Sequence, residues 1–547
     1  MSVADEMPTR KFAALTHQTF DLLIIGGGIV GAGVARDAAL RGLSVALVER
    51  GDFASGTSSK TSKLIHGGLR YLEHAQFRLV GEASRERRLL LQLAPHLVHP
   101  QEFLLPVYRD DPRGRFLIHL GLALYDLLAG FRNMRLHRCL TRPLVVELEP
   151  TLRADGLQGG AIFGDAQMRD ARLVLENVLD ACERGAVCIN YATVRELLQT
   201  DGRLSGAIIE DHWTKERVTV RARVIVNATG PSSDTVRRLS DATAASRLRL
   251  SRGVHLVVRS LGLKRALLLM VPEDRRIVFV QPWGEQTLIG TTETAHHAGD
   301  TAQVTPEDIA YLLRVVNRIV GTQPLTRSDV IATFAGVRPL VDTRAKTLTS
   351  ASREHALEVD RHGLISLLGG KFTTYRALAA LVVDRVCQAL GRRQRSRTAN
   401  EPLYGGVVPD PTSYATTHGR EAIQRGLAMA SAEHLVRTYG VRSRILFDWI
   451  AKDSQLLPTV CPHHPHLAAE VRYAFEEELA QTLSDFYFRR TWIAYSPCHG
   501  REALPRIEAV LRAHVPTMAQ RFPQDVRTYE EEIAAMQACR ATGATHV

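Results

Sequence analysis

The chain has 547 residues, 45% of them apolar, which exceeds what one hydrophobic core organises and predicts two or three folded domains. A formal net charge of +11 favours anionic partners, whether phosphorylated small molecules, acidic lipid headgroups or nucleic acid. Seven scattered cysteines without a C-x-x-C pair argue against a disulfide framework and for a reducing cytoplasm. The first 18 residues mix Asp5, Glu6, Arg10 and Lys11 with small residues and lack the apolar stretch of a secretory signal. No apolar run reaches the roughly 18–20 residues of a spanning helix, so a soluble protein or one lying on a membrane face is expected.

From the N-terminus, the run from Phe20 to Ile25 reads as a buried strand that enters a G-x-G-x-x-G turn at Gly26, Gly28 and Gly31, with a helix from Val30 to Leu40 behind it. Gly26 suits the tight turn, Gly28 lets backbone approach a pyrophosphate, and Gly31 lets the helix pack close to the strand with its N-terminal amides facing the anion. The next strand, Ser44 to Val48, ends in Glu49, placing a carboxylate where a ribose hydroxyl needs an acceptor. This is a dinucleotide-binding opening.

Gly51 to Ser62 reads as a loop and Glu82 to Leu93 as a helix. Residues 116 to 131 read as a nearly wholly apolar helix, flanked by Arg113, Arg115, Arg132 and Arg135, with His119 and Asp126 on one face. The pattern alone fits equally a buried core helix and one lying in a membrane interface. Strands are expected at Ala186 to Tyr191, Leu204 to Ile209, Val218 to Val220, Val224 to Val226, His255 to Val258, Ile277 to Gln281 and Thr287 to Ile289, a mixed sheet inserted into the nucleotide domain. Leu364 to Leu368 enters Gly369-Gly370-Lys371 and a helix from Thr374 to Leu390, a second strand–turn–helix unit. The arginines from Arg392 to Arg397 mark a linker, and beyond it the periodicity is helical, as in Arg420 to Tyr439 and Ala468 to Phe488. The predicted architecture is therefore α/β (α+β): a Rossmann-like dinucleotide-binding domain, an inserted mixed-sheet domain and a C-terminal α-helical domain; the family resemblance set out below implies that the first is an FAD-binding domain and the inserted one the substrate domain. Residues 18–400 form the first region, which the same resemblance implies is the FAD-dependent oxidoreductase, with nucleotide-binding parts at about 18–100, 160–240 and 330–390 and substrate or cap parts at about 100–160 and 240–330. Residues 401–547 form the helical domain.

One complete G-x-G-x-x-G is present, so the chain lacks an obvious second site where a nicotinamide could deliver or collect electrons, and one tightly held cofactor fits better. The blocks Ile25-Gly26-Gly27-Gly28…Gly31-Ala32-Gly33, Ser62-Lys63-Leu64-Ile65-His66-Gly67-Gly68-Leu69-Arg70-Tyr71-Leu72, Asn227-Ala228-Thr229-Gly230-Pro231, Gly290-Thr291-Thr292, Gly336-Val337-Arg338-Pro339-Leu340 and Gly369-Gly370-Lys371…Thr374-Tyr375-Arg376 run in order along residues 20 to 380. Together they resemble the FAD-dependent glycerol-3-phosphate dehydrogenases. Arg252 and Val254 depart from that family, which often has lysine and serine there. The resemblance implies oxidation of sn-glycerol 3-phosphate to dihydroxyacetone phosphate with FAD reduced and reoxidised by a membrane quinone.

It further implies that FAD is held by Gly26, Gly27, Gly28, Ile29 and Gly31, by Glu49 and Arg50, and by Thr57, Ser58 and Ser59. Lys63, Leu64, His66, Gly67 and Gly68 follow, then Val194, Ala228, Thr229 and Gly230, and last Gly370, Lys371, Phe372 and Thr373. A phosphorylated triol needs fixed cations, and Arg70, Arg338 and Lys371 sit beside Gly-rich or Pro-bounded turns rather than on ordinary helix faces. Tyr71 and Thr374 are expected to line the pocket. His255 and His66 are the candidate bases for the C2 hydroxyl proton, since imidazole titrates near neutrality, with His255 preferred because His66 can instead hydrogen-bond flavin.

Cys461-Pro462-His463-His464-Pro465-His466 and Cys498-His499 match none of the usual ligand spacings, so no metal is expected. Arg392 to Arg397 lack interleaved aromatics, so no nucleic acid is expected as a partner, whereas an anionic lipid surface on the inner face of the cell membrane is. A homodimer is compatible with the sequence. Two alternatives stay open: an oxidase that passes electrons to oxygen, and a basic flavoprotein acting in tRNA modification, which the charge alone supports.

Overall fold

A computed structural model of the chain describes residues 11–69, 72, 76–130, 133–321, 323–342, 355–408 and 410–541. Its first sheet has a parallel centre, with Phe20–Ile25 between Val45–Val48 and Arg217–Asn227. Val187–Ile189 extends it beside Val45–Val48, and Ile365–Gly369 beside Arg217–Asn227. Every residue of Phe20–Ile25 is buried, the unbroken apolar run expected of a parallel strand covered on both faces. Leu22, Ile24, Val45 and Leu47 pack on the helices Ile29–Leu40, Asp170–Glu183 and Tyr375–Ala389. Leu23, Ile25, Ala46 and Val48 pack instead against an antiparallel meander of Ala192–Thr200, Arg203–Asp211 and the first half of Arg217–Asn227. The sequence suggests two strands at Val218 to Val220 and Val224 to Val226, but they are one. Arg221 and Arg223 project to solvent from the half where only one face is covered, and the charges read as a break.

Among the described residues the second sheet has ten strands and is mixed. Its spine is the antiparallel pair Leu248–Arg259 and Val330–Val341, matched from Leu248 opposite Val341 to Val258 opposite Val330. Val98–Tyr108 and Leu157–Met168 form a second long pair, and Val98–Tyr108 joins Ala266–Met270 in parallel. Helix Pro306–Asn317 covers one face and helix Arg115–Leu128 the other.

The C-terminal region is helical with its own core, built on Leu435, Leu446, Phe447, Val471, Tyr473, Phe486, Ile507, Tyr529 and Ile533. The helix expected over Arg420 to Tyr439 is two, Arg420–Gln424 and Met429–Tyr439, because Gly426 turns left-handed at φ +105°. Ala468–Glu476 likewise stops short of Phe488, and Leu479 adopts φ +59°. Buried ion pairs join this region to the first sheet: Asp52 with Arg489 and Arg490, Glu478 with Arg172, and Glu176 with Arg442. The arginine-rich segment read as a linker is docked: Arg41 donates to the Gln394 carbonyl at 2.9 Å and Ser396 to Asp37 at 2.5 Å.

Candidate active site

The carboxyl ends of Phe20–Ile25, Arg217–Asn227 and Ile365–Gly369 converge on a cradle of glycines. Gly26 has φ +108°, and a Cβ there would lie 2.7 Å from the Ala228 carbonyl oxygen. A Cβ on Gly31 would overlap the Gly26 carbonyl, so this glycine lets the helix meet the strand. Gly28 caps Ile29–Leu40 in extended conformation and has no side chain to fill the space at the helix end, where an external anion can sit. Ser58 accepts from the Ile29 amide at 3.0 Å, and Thr57 donates to the Val337 carbonyl at 2.5 Å, so the Thr57–Ser59 turn ties the cradle to the second sheet.

Glu49 accepts from the amides of Gly27 at 2.7 Å and Gly51 at 2.9 Å, one on each oxygen. Each oxygen keeps a lone pair for a ribose hydroxyl. Burial pushes its carboxyl above the usual range, and the two amides oppose that rise. Arg50 is exposed beside it, and Val194 stands half-buried on the strand that leaves the Glu49 loop, where the Ala192 amide donates to the Glu49 carbonyl. Gly68, Gly230 and Gly370 have φ of +82°, +56° and +95°, and Thr373 donates to the His66 carbonyl at 3.4 Å, binding two of these turns together. A cradle that Cβ atoms would fill, a helix end facing it and a carboxylate on its rim fit a flavin dinucleotide.

Two residues assigned to the cofactor spend their side chains elsewhere. The Lys63 ammonium is paired with Asp170 at 2.9 Å and donates to the Ser59 carbonyl at 2.6 Å, and Leu64 lies in the core beside Val80 and Phe103. Neither side chain is therefore directed at the cradle.

The second sheet supplies the pocket wall. Opposed residues of an antiparallel pair share a face, so Ser251, Gly253 and His255 stand with Arg338, Gly336 and Phe334. The opposed glycines clear a floor across which the Arg338 guanidinium lies, donating to Thr291 Oγ1 at 2.9 Å and to the Thr292 carbonyl at 3.4 Å. The His255 ring stacks on Phe334 with centroids 4.8 Å apart and crosses Gly290, where a Cβ would come within 2.7 Å of Nε2. His255 Nε2 is 2.9 Å from Ser62 Oγ, and its buried Nδ1 has no hydrogen-bond partner among the described residues. Burial first, then the charges of Arg338 and Lys63, hold this imidazole well below its ordinary pKa, so it is neutral at neutral pH.

His66 stacks on Phe279 at 6.5 Å, and Phe279 lies opposite Gly290, so both candidate bases lie along the same face. Lys371 follows two left-handed glycines, and Thr374 is buried at the start of Tyr375–Ala389, its hydroxyl 3.5 Å from the Lys371 carbonyl. Arg70 and Tyr71 lie outside the described residues.

Sequence reasoning gave no role to Ser62, Thr291, Thr292, Gly253 or Phe334. The first three sit in recognised blocks, but Gly253 and Phe334 gain meaning only from a pairing between strands about 80 residues apart. Tyr495, from the helical region, closes edge-on against Phe334 at 5.6 Å and had no local signal. The family departures Arg252 and Val254 face away from His255. Arg252 pairs with Asp308 at 2.9 Å, and Val254 is in the core behind the sheet.

Residues 21–376 match the FAD dependent oxidoreductase family, and residues 396–521 match the C-terminal domain of alpha-glycerophosphate oxidase. The chain is 37% identical over 495 residues to an aerobic glycerol-3-phosphate dehydrogenase of Bacillus subtilis, covering 88% of each. It is 38% identical over 528 residues to the human mitochondrial glycerol-3-phosphate dehydrogenase, covering 92% of this chain and 72% of that one. Among solved structures, the glycerol-3-phosphate dehydrogenase of Bacillus halodurans complexed with FAD superposes with a TM-score of 0.78 at 28% identity over 98% of both chains. The Gly-lined cradle and these matches over nearly the whole length agree, and the chain belongs to the FAD-dependent glycerol-3-phosphate dehydrogenase family.

Proposed function

We propose that the protein oxidises sn-glycerol 3-phosphate to dihydroxyacetone phosphate and passes the electrons to a membrane quinone, with residues 18–400 as the catalytic unit. The observation that carries the reading is the shared face of Arg338 and His255, a pre-aimed cation and a neutral imidazole beside the dinucleotide cradle. Bound FAD supplies a hydride acceptor; the chain supplies position, charge and a proton acceptor.

Arg338 takes the substrate phosphate through its planar fork, with Lys371 and Arg70 as further cations and Tyr71 and Thr374 as pocket walls. His255 accepts the C2 hydroxyl proton, and His66 is the second candidate. Binding and basicity are coupled. A phosphate dianion on Arg338 neutralises the charge that depresses His255, so the imidazole becomes a better base when substrate is in place.

The acceptor is read from helix Arg115–Leu128. Its 14 residues span about 21 Å, short of the ~30 Å of hydrocarbon, and no described helix is long and apolar enough to cross a membrane. Phe116, Leu117, Leu120 and Leu127 are 80%, 53%, 55% and 56% exposed, an apolar face suited to the inner membrane surface where a quinone resides. Anaerobic glycerol 3-phosphate should bleach the flavin of the loaded protein while glycerol does not, and a soluble quinone analogue should restore the colour faster than oxygen. Equal bleaching by both alcohols would overturn the substrate. Stoichiometric peroxide would replace the quinone with oxygen.

A further inference from the structure

We infer that Cys461, His464 and Cys498 form a zinc site within the C-terminal helical region. The two thiol sulfurs and one imidazole nitrogen lie within 4.8 Å of one another. Cys461 is 3% exposed and His464 8%, and the buried Nε2 of His464 has no hydrogen-bond partner among the described residues. A buried nitrogen left without a partner is rare and calls for a ligand.

Both strands of the site are pinned. The loop carrying Cys461 and His464 is closed by the Val460 amide on the His466 carbonyl at 2.8 Å. The turn carrying Cys498 is held by Tyr529 on the His499 carbonyl and Tyr487 on the Gly500 carbonyl, each at 2.6 Å. Preformed, soft donors select zinc over calcium or magnesium. Two thiolates and a neutral imidazole balance the 2+ charge, the thiol protons leave to solvent, and the half-buried Cys498 side leaves the fourth position to water.

Two other clusters fit a metal less well. His119, His137 and Cys139 are largely exposed, with His119 hydrogen-bonded to both neighbours. In the group of His434, His466 and Glu470, the carboxylate already accepts from His434, His466, Tyr439 and the Leu467 amide. The Cys461 site also has a mechanical consequence. Cys498 lies three residues after Tyr495, whose ring closes on Phe334 beside His255, so the ion would fix the turn that carries Tyr495 to the rest of the helical region.

The test is metal analysis of the FAD-loaded full chain purified without metal-affinity steps. About one zinc per chain is expected, falling to roughly a tenth or less in Cys461→Ser and Cys498→Ser and unchanged in Cys139→Ser. Cobalt exchanged into the wild type should give thiolate charge-transfer bands and ligand-field absorption to the red of the flavin, which decides the matter even where a variant fails to fold. Wild-type protein that retains no zinc and takes up no stoichiometric cobalt would overturn the site. So would a Cys461–Cys498 disulfide in protein prepared under reducing conditions, or zinc that persists in both Cys variants and is lost with Cys139.

Discussion

Arg338 crosses Gly253 on the neighbouring strand so closely that a methyl group there would overlap Nη2 and stand 2.6 Å from both Arg338 Cζ and Thr291 Oγ1. The glycine is therefore the floor of the proposed phosphate site. Gly253→Ala should push the guanidinium off Thr291 and raise KM for glycerol 3-phosphate by about tenfold, the equivalent of one charged hydrogen bond partly lost. Turnover of glycerol should stay as poor as in the wild type. Steady-state kinetics with both alcohols check this, and an unchanged KM would place the phosphate elsewhere.

Arg338→Lys keeps the charge but loses the fork, and should cost about 1.5–3 kcal/mol in kcat/KM for glycerol 3-phosphate. The pH profile separates charge from geometry. Burial and then the Arg338 charge depress the His255 pKa, so removing the charge in Arg338→Gln raises that pKa. The base must be neutral to act, and the acid limb of kcat/KM should therefore move to higher pH in Arg338→Gln and stay in place in Arg338→Lys. Identical limbs in both variants would exclude His255 as the titrating base.

The cradle was legible because each glycine answers a local demand: Gly26 a turn, Gly31 a close helix–strand contact, both within one short segment. The pocket wall was legible only as fragments. Arg338 stood out in its Pro-bounded block and His255 as a candidate base, yet the floor of Gly253 and Gly336 that joins them exists only in a long-range register. Strands Val98–Tyr108 and Leu157–Met168 escaped notice for a related reason, since Pro100, Pro106, Gly159, Gly160 and Gly164 interrupt the alternation that marks a strand.

Gly31→Val should yield colourless protein. Its Cβ would overlap the Gly26 carbonyl, which is backbone and cannot rotate aside, so the helix end must leave the cradle. The flavin-to-protein absorbance ratio measures the loss, and a fully yellow variant of native stability would remove Gly31 from the cofactor site.

Asp52 accepts from Arg489 at 2.6 Å and also pairs with Arg490, joining the helical region to the first sheet through a contact in which Asp52 and Arg490 are buried. Burial alone would raise this carboxyl, but the two guanidiniums outweigh it and hold it below the usual range. A depressed folded pKa gives stability that is present above the unfolded value of about 3.9 and is lost as pH falls through the folded value. Asp52→Asn should cost about 3–5 kcal/mol at neutral pH, because Arg490 stays buried with its charge unmet, and should flatten the acid side of the unfolding profile. Denaturant titrations from pH 7 downward test both parts. An equally steep acid loss in the variant would assign that loss to other carboxylates.

Helix Arg115–Leu128 buries Ile118, Leu122, Tyr125 and Asp126 and turns Phe116, Leu117 and Leu120 outward, so the two faces can be varied separately. Outward leucines add little to the folded core, and each contributes about 1.5–3 kcal/mol when its side chain enters an apolar phase. Leu117→Asp with Leu120→Asp should therefore release folded, FAD-loaded enzyme from membranes, with a melting temperature close to the parent and anaerobic bleaching by glycerol 3-phosphate intact. Rates with a membrane quinone should collapse while rates with a soluble dye acceptor persist, since only access to the lipid phase is lost. Leu122→Asp, on the buried face, should instead lower stability through a buried unpaired carboxylate. Sedimentation of the flavin with vesicles containing acidic lipid distinguishes the cases. Retention of the double variant on those vesicles would show that this face is not what meets the membrane.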